Sequence, residues 1–176
     1  KKFGLADKEL KKFIKIFLKK NRWDNKFINF FKRTLQFYYP ASIRGKIIDN
    51  LFREYVDESE DSFYKKNYMN KKNIIEMHKN GMFIGNHSCK HPFFGSMSFK
   101  DQKKEINNSL KLYEYLGISK KDWIFCYPFG SFNNNTKKIL KEKKCFAALG
   151  CSPKKFNGNP KNVYNIPRFD TNDFPQ

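Results

Sequence analysis

Apolar residues recur every three to four positions through the first 70 residues of the chain, which is the period of helices with one buried face. Residues 6–20 carry Leu10, Phe13, Ile14, Phe17 and Leu18 on one stripe with lysines opposite. Phe27, Phe31 and Leu35 repeat that spacing in the next segment. After Pro40 a third helix sets Ile47, Ile48, Leu51, Phe52 and Tyr55 on one face. The acidic stretch from Asp57 to Asp61 reads as a solvated loop. A basic amphipathic stripe such as residues 10–20 also suits a membrane surface, but core packing is its commoner use, and nothing else in the sequence supports a membrane contact.

From residue 70 the pattern changes to short apolar runs between helices. Asn70 is placed to cap a helix carrying Ile74, Ile75 and Met77, and Gly81 to stop it. Residues 82–85 read as a buried strand. Ser98 then caps a helix with Asp101 in its first turn and Ile106, Leu110 and Tyr113 along one face, ended by Gly117. Residues 123–127 read as a strand, 134–143 as a helix, 145–149 as a strand and 163–169 as another. That β-α-β-α-β order argues for an α/β architecture with parallel strands and helical crossovers. The expected organisation is a helical segment over 1–69 and a β/α portion over 70–176.

Composition narrows the function classes. Phe alone occurs 20 times in 176 residues, so the chain can build a core rather than stay disordered. No apolar run has the length of a membrane-spanning helix, and the opening Lys1-Lys2-Phe3-Gly4 lacks the apolar core of a signal peptide. The compartment is left open, as is the oligomeric state. The formal charge of +19 invites a nucleic-acid reading. The excess is almost all Lys, spread over every segment, with Arg scarce, so no nucleic-acid partner is expected. Cys89, Cys126, Cys145 and Cys151 form no Cys-x-x-Cys pair and are expected as free thiols.

His87 and His91 are the sharpest chemical feature. Two imidazoles four residues apart reach one divalent ion when the backbone turns both to one side. Gly85 before them and Pro92 after them place His87 at a strand's C-terminal end and His91 in the turn behind it, where α/β folds carry their sites. His78 lies mid-helix and reads as an ordinary surface or packing residue. Cys89, between the two histidines, is not expected to join them.

Residues 75–92 resemble the second motif of the polysaccharide deacetylases, carbohydrate esterase family four: a helix, a Gly, a strand ending Ile-Gly-x-His, then Ser-x-x-His-Pro. Tyr127-Pro128-Phe129-Gly130 resembles that family's third motif, and Ile166-Pro167-Arg168 a late barrel strand of a bacterial subset. The resemblance implies part of a distorted (β/α) barrel, with residues 1–69 resembling an insertion packed on it. It implies removal of acetyl groups from an N-acetylated glycan, with a divalent metal, usually zinc, held by His87, His91 and an Asp. It further implies substrate contacts at Tyr127, Pro128, Phe129 and Gly130, and an oxyanion donor in the Phe129 N–H. The family's Asp-Asp motif has no counterpart in residues 1–70. Its motif-three Arg is replaced by Cys126, for which Arg168 offers a charge from a neighbouring strand, and no His follows His91. A catalytically inactive carbohydrate-binding module of the same fold is the alternative.

Overall fold

A computed structural model of the chain describes residues 7–21 and 23–174, and these divide between Tyr68 and Met69 into two compact units. The described part of the first is helical: α1 (Asp7–Phe17), α2 (Lys26–Arg33), α3 (Ala41–Tyr55) and α4 (Glu60–Asn67). The predicted start of the first helix at Ala6 lies outside the described residues. Phe13 packs edge-on to Phe30 of α2 and to Tyr38, drawing the first two helices together. Asn29 ties α2 to the end of α1. It is buried, and its amide donates to the carbonyls of Phe17 and Lys19, the unpaired acceptors at the end of α1.

Two sequence expectations are corrected in this unit. Phe27 and Phe31 lie exposed, because α2 turns its Asn29 and Phe30 side inward, and Leu35 falls in a π-helical turn, Thr34–Tyr38, that extends the helix. The acidic stretch is not all loop. Ser59 caps α4 by accepting the Ser62 N–H, and Glu60 and Asp61 occupy its first turn, where negative charge meets the positive end of the helix dipole.

The second unit is a mixed α/β assembly of α5 (Lys71–Lys79), α6 (Phe99–Leu116), β1 (Ile124–Cys126), α7 (Asn134–Glu142) and β2 (Ala147–Leu149). Asn70 and Asn73 cap α5 reciprocally, Ser98 caps α6, and Gly117 ends α6 in the left-handed conformation. β1 and β2 pair in parallel with Phe125 beside Ala148. Single parallel bridges extend this ladder at both edges, Asn86 to Phe125 and Leu149 to Ile166. Four parallel segments therefore lie side by side in chain order, and their C-terminal ends share one rim. The outer two are shorter than the sequence predicts. Residues 82–85 form no regular strand, and Pro160–Asn165 turns as a 3-10 helix where a strand was expected from 163, because Pro160 starts it and Asn159 caps it.

The core lies between the sheet and the helices that cross it. Trp123, Phe125 and Tyr127, from β1 and the residues flanking it on either side, alternate along one face and are fully or almost fully buried. Ile106, Leu110 and Tyr113 of α6 and Ile139 and Leu140 of α7 belong to the same cluster. Buried polar groups are paired throughout: among the described residues no buried side-chain nitrogen or oxygen lacks a partner.

Candidate metal site

Asn86 is the last residue bridged to β1, so His87 leaves the sheet at its C-terminal rim. Its Nδ1 lies 2.7 Å from the carbonyl of Cys126, the end of the neighbouring strand. A carbonyl only accepts, so Nδ1 carries the proton and Nε2 is left with a lone pair. That lone pair faces His91: the two Nε2 atoms are 3.0 Å apart. A separation this short requires either a shared proton or a cation between the rings. Burial, and then the neighbouring His87, hold His91 below its usual value of 6.5, which keeps it neutral and able to bind a cation.

The turn that brings the rings together is conformationally unusual. Ser88 and His91 both take positive φ, 67° and 50°, a region unfavourable to residues with a Cβ. Ser88 Oγ accepts the His91 N–H, and the buried Asn86 accepts the Ser88 N–H. Among the described residues no cluster of three or more His, Cys, Asp and Glu side chains is arranged to hold a metal. The pair fits a divalent cation as two of its ligands: both nitrogens converge, and one is fixed in the right tautomer by a backbone carbonyl, the usual support for a ligating imidazole. Beside the turn lies a hollow of about 280 Å³, walled by Gly85 to Cys89 and by Ser109, Leu112 and Tyr113 of α6.

The other predicted residues divide. Phe129 is 41% exposed and stands against the histidines, with its ring centroid 4.4 Å from that of His91 and 4.0 Å from that of Phe93, nearly parallel to it. It also has positive φ, 56°, and among the described residues no acceptor meets its N–H. Gly130 follows with φ 65°, and a Cβ there would stand 3.0 Å from the Cβ of Cys151, so glycine is favoured on both counts. Tyr127 and Pro128, expected at the substrate surface, are buried instead. Tyr127 belongs to the core, with its hydroxyl donated to the Tyr164 carbonyl and its ring stacked on Phe132.

Arg168 donates through Nε to the Gly150 carbonyl, and its two terminal nitrogens lie 3.8 Å from the sulfurs of Cys126 and Cys151. Its positive charge thus stands beside the Cys126 side chain. Burial raises the Cys126 thiol pKa, with the Arg168 charge opposing, so Cys126 stays a neutral thiol at neutral pH. Asp173 accepts the Asp170 N–H and so serves the local turn. His78 is exposed on α5. Cys89 offers its N–H, not a thiolate, to the site's surroundings: burial, and then Glu105, raise its pKa. Sequence reasoning missed Asn86 and Glu105, both buried polar residues at this turn. No local signal marked Glu105, because one carboxylate on an amphipathic helix does not show what it faces.

Residues 48–146 match the family model described as polysaccharide deacetylase. That span includes α5, the histidine turn, α6 and β1 and begins within α3. No curated protein is matched by the chain. A solved structure, the Streptococcus pyogenes deacetylase PplD in complex with acetate, is similar at 20% identity and a TM-score of 0.49. The likeness covers 67% of this chain and 47% of that one, so this chain spans about half the length of that structure.

Proposed function

This chain belongs to the polysaccharide deacetylase family, and we propose from that premise that it contributes to a metal-dependent hydrolase removing acetyl groups from an N-acetylated polysaccharide or glycan. The observation that carries this reading is the convergence of the His87 and His91 Nε2 atoms at 3.0 Å, with His87 oriented by the Cys126 carbonyl. His87 and His91 would hold the divalent ion, zinc on the family's pattern, which when bound polarises the amide carbonyl and makes water a nucleophile near neutral pH.

The chain's own groups take the remaining roles. Cys126, through its carbonyl, keeps the proton on His87 Nδ1, so that Nε2 stays a donor of electrons. The Phe129 N–H, free of an acceptor among the described residues, is the donor proposed for the negative charge that develops on the amide oxygen. The exposed ring of Phe129, backed by Phe93, offers a flat apolar surface beside His91 of the kind that sugar rings stack on. Arg168 brings positive charge to the Cys126 side of the site. The four parallel segments are read as one arc of a distorted (β/α) barrel. The reading also requires a carboxylate pair, as third ligand and general base, which the described residues do not bring to the histidines.

The test joins two measurements. Zinc titration of the chain should give one saturable site that the His87→Ala, His91→Ala double variant abolishes. The natural protein containing these residues should release acetate from N-acetylated oligosaccharides, with a loss of at least about 100-fold in His87→Ala. The alternative, a catalytically inactive carbohydrate-binding module, draws on the absence of a third ligand among the described residues. Glycan binding with no acetate release from a zinc-loaded protein would establish it and sink the enzyme reading.

A further inference from the structure

The four consecutive backbone N–H groups from Ser88 to His91 are all accepted by side-chain oxygens. Asn86 takes the N–H of Ser88, Ser88 itself takes that of His91, and Glu105 takes both of those between. The two histidines are thus joined by a turn shaped by side chains, with positive φ at both of its ends. Of the three accepting residues, two belong to the segment itself. Glu105 alone comes from another element, α6, and ties the turn to the body of the unit.

Its environment shows how firmly it does so. Glu105 is 7% exposed, and a single oxygen, Oε1, receives the N–H of Cys89 at 2.8 Å and of Lys90 at 2.6 Å. Among the described residues no basic side chain forms an ion pair with it. A nearly buried carboxylate is retained at a cost in solvation, and here the two backbone dipoles offset that cost. Both hydrogen bonds are short, as bonds accepted by a carboxylate commonly are. The α6 backbone, fixed by its cap and its apolar face, gives that acceptor a constant position.

We propose that Glu105 is a positioning residue for the histidine pair: its carboxylate clamps the Cys89 and Lys90 N–H groups and so sets the distance between the His87 and His91 Nε2 atoms. The proposal rests on the metal-site reading only for the ion; the geometry it explains exists without one. Removing the clamp leaves two N–H groups without acceptors and lets Ser88 and His91 relax out of their left-handed conformations, which moves the rings apart. Loss of a group that orients a ligand typically lowers metal affinity by about 10- to 100-fold.

The experiment compares the full chain with Glu105→Gln, Glu105→Asp and Glu105→Leu. In the metal-free protein, side-chain nitrogen NMR should detect a 15N–15N coupling across the hydrogen bond between the two Nε2 atoms. That coupling should survive in Glu105→Gln, whose amide oxygen still accepts, and vanish in Glu105→Leu. Cobalt titration should show a loss of about 10- to 100-fold in the Leu variant and under about tenfold in the Gln variant. Should the Leu variant fail to fold, Glu105→Asp decides, because it keeps the charge but is one methylene short of spanning both N–H groups. Its coupling and affinity should fall like those of Leu. Unchanged coupling and affinity in whichever folded variant breaks the clamp overturns the proposal, as does absence of the coupling in the unaltered chain. If the unaltered chain binds no cobalt, the metal reading fails, and the coupling alone still decides the role of Glu105.

Discussion

A single hydrogen bond sets the chemistry of the site at the scale of the residue. With Nδ1–H of His87 committed to the Cys126 carbonyl, the proton shared by the two rings must reside on His91, and a cation held by both rings would have to displace it. The folded state holds the His91 pKa below 6.5, so it binds fewer protons there than the unfolded chain does. The stability linked to His91 is therefore fully present above pH 6.5 and is lost as pH falls through its lower folded value. In an NMR titration of the imidazole C–H signals, His91 should show a midpoint below 6.5. A midpoint at or above that value would count against the arrangement. The histidine pair was legible in the sequence, because its spacing, the flanking Gly85 and Pro92 and the family resemblance all point to one turn. Glu105 was not, since a carboxylate 15 residues downstream on an amphipathic helix becomes informative only when the turn it faces is known.

At the scale of the element, the helices that were readable are those whose ends carry their own signals. Asn70, Ser98 and Gly117 bound α5 and α6 where the sequence places them, because caps act locally. The strands were harder. The apolar run at 82–85 contributes no bridge of its own, the bridge to β1 being made by Asn86 just after it, and a side chain helps to hold the run: the Tyr113 hydroxyl donates to the Ile84 carbonyl at 2.8 Å. Burial of that phenol pushes its pKa up to about 12, so the bond persists well into alkaline conditions. Tyr113→Phe should cost about 1 kcal/mol in urea unfolding of the chain, the usual net value of one such hydrogen bond. A cost near zero would mean that the 82–85 run is held by its backbone alone. Patterning could not reveal this, because period and propensity describe a segment and not the hydroxyl that reaches it from 29 residues away.

At the scale of the whole molecule, the described residues divide between Tyr68 and Met69 into two compact units, and the second unit contains its own core. Residues 69–176 expressed alone should therefore fold cooperatively. Trp123 is the one tryptophan in that span and is buried, so its emission should be blue-shifted and should move red in one transition with urea. Red-shifted emission from the outset would show that this core depends on the first 68 residues. The run at 82–87 is bridged to β1 on one side, with Phe83 and Gly85 exposed. Natural sheets usually guard such a margin with a lysine, a proline or a bulge. What separates two such margins in solution is the like charge of the copies, +19 on each. The reach of that repulsion shrinks from about 30 Å at 0.01 M salt to about 8 Å at 0.15 M. Ionic strength is thus the variable that sets how near two copies come, and with it the colloidal lifetime of a concentrated solution.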